Sequence, residues 1–247
     1  LFRSETCDEI IAGMKQRYAS VNVPHDMLQR TVSVYVALKE LVREYNLDMV
    51  SVKCIGEFMD KYASCCLATS MLNDEGVVST CQCDVNATIS AYILSNLTKQ
   101  PVFFGDVNTV SKEERVARVI NCGSIPMKLA ESPDSVKIVE QYEYMGAGRG
   151  ACTFFCCKPG KVTFGSLGRV NGEYVMNIAT GTAYTESEET MEQVRTWAQG
   201  FIKLDCDPMA FYRNIRSNHS VMCYGDVKDI LLELCRLYGI KPESCTQ

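Results

Sequence analysis

The stretch Met49-Val-Ser-Val-Lys-Cys-Ile-Gly-Glu57, with its counterpart Val77-Val-Ser-Thr-Cys-Gln-Cys-Asp84, decides the fold. Each is a short apolar run closed by Gly, Gln or an acid. Short continuous apolar runs that follow helical patterns read as buried parallel strands. Outward from them, Thr6 and Glu9 have capping-box spacing, and Ile10, Ile11, Met14 and Tyr18 share one helix face. Pro24 opens a longer helix with Leu28, Val32, Tyr35, Leu38, Val42 and Tyr45 as its apolar stripe. Lys61–Leu72 and Ala87–Leu97 are expected to be helical, Asn73–Gly76 a turn, and Pro101–Phe104 a third strand. Strand and helix alternate this far, which indicates part of a doubly wound parallel sheet.

Beyond residue 110 the pattern changes. Arg115–Asn121, Val136–Met145, Cys152–Cys157, Lys161–Val170 and Glu173–Thr182 are short and rich in β-formers. Asn171-Gly172 signals a type I′ hairpin, and Pro159-Gly160 a tight turn. A helix is expected over Glu188–Gln199, a strand over Ser220–Tyr224, and a final helix after Gly225-Asp226 with Ile230, Leu231, Leu234 and Tyr238 inward. The expected fold class is therefore α/β: a partial α/β domain over 1–110, then an antiparallel, barrel-like β-rich domain with helices over 111–247.

The 247 residues are 47% hydrophobic and 22% charged, with net charge −5. That excludes a disordered chain and a strongly basic nucleic-acid binder. No apolar run reaches the roughly 18 residues a spanning helix needs, so no membrane partner is expected. Leu1-Phe2-Arg3-Ser4 has no signal-peptide layout and reads as a chain entered part-way through a longer protein. The fourteen cysteines include the adjacent pairs Cys65-Cys66 and Cys156-Cys157 and lack paired C-x-x-C modules. They read as reduced, buried thiols of a cytoplasmic protein, with zinc or redox chemistry as the alternative.

There are only two histidines, and His25 sits at a helix start. His219 stands at a strand mouth, where side chains from distant elements meet. Glu57 and Asp84 close the two short strands, and ligands collect at the carboxyl ends of strands in open α/β sheets. Two acids and a neutral imidazole could hold one divalent cation. The competing reading makes both acids helix caps, which suits Asp84 especially. The Gly146–Gly150 loop precedes a strand, the wrong context for a dinucleotide fingerprint. Cys122-Gly-Ser124 has no histidine paired with it in sequence.

The ordered succession Lys53-Cys-Ile-Gly-Glu-Phe58, Leu72-Asn-Asp-Glu-Gly76, Cys81-Gln-Cys-Asp84, Pro101-Val-Phe-Phe-Gly-Asp106, Asn121-Cys-Gly123, Gly148-Arg-Gly150, Pro159-Gly-Lys-Val-Thr163, Ser217-Asn-His219 and Tyr224-Gly-Asp226 resembles the L-fucose/L-arabinose isomerase superfamily, nearest its fucose isomerase-like branch. The resemblance covers nearly the whole chain. It implies Mn²⁺-dependent aldose–ketose isomerisation of a pentose or 6-deoxyhexose through an ene-diol. It also implies Glu57, Asp84 and His219 as metal ligands, Glu57 and Asp84 as the acid/base pair, and Asn218 and Gln82 as sugar contacts. Many relatives carry an acid at the position of Gln82, and an amide cannot act as a general base. A small sugar substrate and a homo-oligomer are the expected partners. A non-catalytic carbohydrate-binding or regulatory relative is the alternative.

Overall fold

The computed structural model describes residues 4–141 and 149–245. In chain order it comprises α1 (Ser4–Arg17), β1 (Ser20–Asn22), α2 (His25–Glu44), β2 (Met49–Val52), α3 (Glu57–Lys61), α4 (Cys66–Asp74), β3 (Val78–Cys81) and α5 (Val85–Thr98). There follow β4 (Phe103–Ser111), β5 (Val116–Ile120), β6 (Lys137–Glu140), β7 (Ala151–Phe154), β8 (Gly160–Val170) and β9 (Glu173–Tyr184). The last elements are α6 (Glu188–Glu192), β10 (Gln199–Leu204), α7 (Pro208–Arg213), β11 (Ser220–Tyr224), α8 (Lys228–Tyr238) and β12 (Lys241–Ser244).

The chain is a mixed α/β protein with parallel and antiparallel sheets. β2 and β3 pair in parallel, Val52 beside Cys81, as the two short apolar runs require. β10, β5, β4, β11, β8 and β9 pair antiparallel in that order, and β9 pairs back onto β10. Six strands thus close on themselves, which removes the open edges a flat sheet would expose. β12 extends β9 in parallel. A third small sheet joins β1, β6 and β7. Asn171 and Gly172 both have positive φ, 51° and 90°, the type I′ geometry that joins β8 to β9.

Alternation along the strands sorts two cores. Phe103, Val119, Val162, Phe164, Ile202 and Met222 fill one with their neighbours. Phe104, Leu167, Ile178, Val221 and Cys223 face the other way and pack against Leu94 of α5, Leu231 of α8 and the β2–β3 unit. A hydrogen bond from Leu167 N to Ser90 Oγ, 2.8 Å, ties α5 to β8. The carboxyl ends of β2 and β3 are thereby brought against β4 and β11.

Four expectations need correction. Pro101–Phe104 is not a parallel strand: β4 starts at Phe103 and belongs to the antiparallel sheet, where β5 and β11 both pair with it. Lys61–Leu72 is not one helix but the end of α3, a break at Tyr62–Cys65 and the start of α4. Only Glu188–Glu192 of the stretch Glu188–Gln199 is helical, because Gln199 is recruited by β5. In α8 the inward residues are Leu231 and Cys235, while Ile230 and Tyr238 are 53% and 77% exposed. The expected strand Val136–Met145 and the Gly146–Gly150 loop lie partly outside the described residues.

Candidate active site at the carboxyl edge of β3

Asp84 terminates the turn after β3 and caps α5. Its Oδ1 accepts from Ala87 N at 3.1 Å. The other oxygen, Oδ2, faces away from the helix and accepts from His219 Nδ1 at 2.9 Å and from Ser217 Oγ at 3.3 Å. Capping and site chemistry are therefore shared between the two oxygens of one carboxylate. The turn needs unusual backbone: Gln82 and Cys83 have φ of 60° and 54°. Non-glycine residues seldom hold such angles, and strain of this kind collects at functional sites.

His219 is 1% exposed and stacks on Phe104, ring centroids 4.3 Å apart. The β4–β11 register pairs Ser220 with Gly105 and Val221 with Phe104. Continued by one residue, it sets Asp106 opposite His219. Asn218 Nδ2 donates to Asp106 Oδ1 at 3.4 Å and approaches His219 Nε2 at 3.5 Å. Burial works against a charged imidazole, but the bond to Asp84 and the charges of Cys81, Asp106 and Asp84 outweigh it and hold the His219 pKa above its ordinary value. Burial likewise works against the Asp84 carboxylate, yet the bonds from His219 and Ala87 bring it below the usual range. Asp106 goes the other way: burial raises it against the lowering pull of His219, and the neighbouring Cys81 and Asp84 charges add to the rise.

Beneath this group lies a row of thiols. Hydrogen bonding from the Cys122 and Cys54 thiols outweighs burial and holds the Cys81 thiol below the ordinary range. Cys66 Sγ and Cys122 Sγ are 3.9 Å apart, and Gln141 Nε2 donates to Cys66 Sγ at 3.2 Å. All fourteen cysteines are free, and of them only Cys83 is exposed.

The structure unites Asp84, His219 and Asn218, which are far apart in sequence. Gln82 sits in the same turn, two residues before Asp84. Glu57 heads α3, and its 88% exposed carboxylate pairs with Lys61 at 3.0 Å. Among the described residues, no three His, Cys, Asp or Glu side chains converge as a ready-made metal cluster. Sequence reasoning assigned no role to Asp106, Phe104 and Ser217. Period-2 alternation puts Phe104 and Asp106 on one face of β4, and that was the available signal.

A sequence profile described as "L-fucose isomerase, C-terminal domain" matches residues 119–244. The chain belongs to the L-fucose isomerase family. Three relatives are each named sulfoquinovose isomerase. That of Clostridium sp. (strain MSTE9) is 25% identical over 98% of this chain and 54% of its own length. Those of Alkalicoccus urumqiensis and Priestia megaterium (strain ATCC 12872 / QMB1551) are both 24% identical, over 68% and 83% of this chain and 38% and 45% of their own lengths. The chain spans about half the length of the curated relatives it matches. Among the described residues, no helix is long and apolar enough to cross a membrane.

Proposed function

We propose that this fucose isomerase-family chain carries the reacting end of a metal-dependent aldose–ketose isomerase site. The observation that carries the reading is the 2.9 Å contact between Asp84 and His219, side chains 135 residues apart in sequence. They meet at the carboxyl edge of β3 with a second acid, Asp106, alongside. The β2–β3 unit with α4 and α5 is taken as the edge of a doubly wound sheet, the usual setting for such an edge site.

The donor set suits a hard divalent cation, manganese by the family resemblance. Carboxylates and an imidazole are its ordinary ligands, and two carboxylates in one half-buried group are eased by positive charge. Asp84 and His219 would hold it, with Glu57 as the third ligand. Glu57 is free to turn, since an exposed i,i+4 pair of the Glu57–Lys61 kind is worth only about 0.3–0.5 kcal/mol. A cation held there would polarise the neighbouring oxygens of the sugar and make the C2 proton more acidic.

The remaining roles belong to the chain. A carboxylate of the Glu57/Asp84 pair takes the proton from C2 and returns it to C1, while a second polar group moves the O2 hydroxyl proton to O1. Phe104 keeps the His219 ring in place and shields it from water. Asn218, held from behind by Asp106, and Gln82 offer amide groups to sugar hydroxyls. Pentoses, 6-deoxyhexoses and, from the relatives' name, sulfonated hexoses are the substrate classes, and the active species is a homo-oligomer.

The test is conversion of these aldoses in D₂O with added Mn²⁺. Product ketose carrying deuterium at C1, abolished by chelation and by Asp84→Asn, supports the reading. Sugar binding with no turnover and no loss of the C2 proton would identify a non-catalytic relative instead.

A further inference from the structure

At the head of α3, continuous with the reacting end through Glu57, lies a cavity of about 530 Å³ whose Lys53, Phe58, Lys61 and Tyr62 have no part in the reaction chemistry. Its charged lining is Lys53, Glu57 and Lys61, and its rings are Phe58 and Tyr62. The β2–β3 register pairs Val52 with Cys81, so Lys53 leaves β2 level with Gln82. Paired strands are about 4.8 Å apart. A contact across the same pair of strands agrees with this, for Cys83 Sγ in the turn after β3 donates to Ser51 O of β2 at 3.8 Å. The cavity therefore opens on the same edge as Asp84, one strand over.

Its walls are built for a sugar. Tyr62 is fixed by a 2.6 Å hydrogen bond between its hydroxyl and Ser33 Oγ. Phe58 meets Tyr62 edge-on at 6.1 Å, and both rings are exposed, while Met59 is buried beneath them. Exposed, anchored rings offer apolar faces to the C–H face of a ring ligand at little entropic cost. The charge is uneven. Lys61 is paired with Glu57, whereas Lys53 forms no ion pair among the described residues, so the lining carries one net positive charge. If Glu57 turns to a cation at Asp84, both ammonium groups are left facing the cavity.

We propose that this cavity is the subsite for a tetrahedral oxyanion, a sulfonate or phosphate, carried on a hexose at the end remote from its reacting carbons. Lys53 and Lys61 supply the countercharge, and the exposed side of the Phe58–Tyr62 pair offers an apolar wall to the carbon chain between the anion and the carbons over Asp84. This rests on the isomerase reading for the identity of the reacting end. Lysine suits the task because its compact ammonium reaches such an oxyanion as a point charge without a fixed approach plane.

The experiment is calorimetric titration of the protein with a 6-sulfonated hexose, a hexose 6-phosphate and the uncharged hexose, each at low and high salt, with turnover followed in parallel. Wild type is expected to bind at least one charged sugar tenfold or more tighter than the uncharged one. The preference should shrink with salt, since exposed charges are screened. In the Lys53→Gln/Lys61→Gln double variant the preference should fall at least tenfold. Preference for one of the two charged sugars names the oxyanion taken; equal preference defines a general oxyanion subsite. Equal affinity for charged and uncharged sugars overturns the proposal, as does a double variant that weakens both alike, or no binding of any sugar. A charged-sugar preference without turnover would leave the subsite standing and overturn the isomerase reading alone.

Discussion

Replacing Asp84 separates the two duties that its oxygens divide. In Asp84→Ala, α5 loses the cap at Ala87 N, and the Nδ1 of an almost fully buried histidine loses its acceptor. A lost cap costs about 1 kcal/mol and an orphaned buried donor about 1–3 kcal/mol, so the sum is about 2–4 kcal/mol. For a chain of this length, at about 2–4 °C per kcal/mol, that corresponds to a Tm lower by about 4–16 °C. Asp84→Asn keeps a capping oxygen, and its amide can still donate to the other imidazole tautomer. It should be more stable than Asp84→Ala by at least about 1 kcal/mol. The imidazole, however, loses its anionic partner, so the His219 pKa must fall in both variants. Urea unfolding at pH 7 reads the first effect. A proton NMR titration reads the second, with only His25 as a companion resonance. Equal stability of the two variants would refute the cap assignment, and an unmoved His219 titration would refute the 2.9 Å pair.

Two further outcomes follow from the packing. A Cβ on Gly123 would lie 2.1 Å from Cys152 Cβ, at a φ of +107° that side chains rarely adopt, so Gly123→Ala should cost at least about 2 kcal/mol in urea unfolding. A variant as stable as wild type would show that the Asn121–Ser124 loop does not pack on β7 as described. Asp205 is lightly buried, which opposes its charge, but Lys161 and Thr180 outweigh this and lower its pKa. Its stabilisation is then present above the unfolded value of about 3.9 and lost as pH falls through the folded value. The gap in urea midpoint between wild type and Asp205→Asn should therefore be larger at pH 7 than at pH 3, and a constant gap would count against the ion pair.

Periodicity carried much of the fold. α1, α2, β2, β3, α5, the β8–β9 hairpin and β11 follow from apolar spacing, Pro24 and Asn171-Gly172, all signals acting within a few residues. Three of the four misreadings share one cause. Pro101–Phe104, Lys61–Leu72 and Glu188–Gln199 contain residues whose state is set by a distant partner: β5 and β11 take up β4, Arg149 O takes the Ser64 N–H in the break before α4, and β5 takes up Gln199. Local propensity cannot register a bond to a strand many residues away.

The same division runs through the site. The sequence by itself determined that Asp84 ends a strand and starts a helix, that one histidine stands at a strand mouth, and that fourteen thiols sit in a chain able to bury a core. Only the tertiary structure decided which of Asp84's oxygens caps and which meets His219, and that Phe104 and Asp106 flank that ring. It also opened the cavity at the head of α3. The physical reason is range: capping and strand ends depend on neighbours within a turn, while ring stacking, burial and charge proximity are fixed by the β4–β11 pairing and the packing of that sheet on α5.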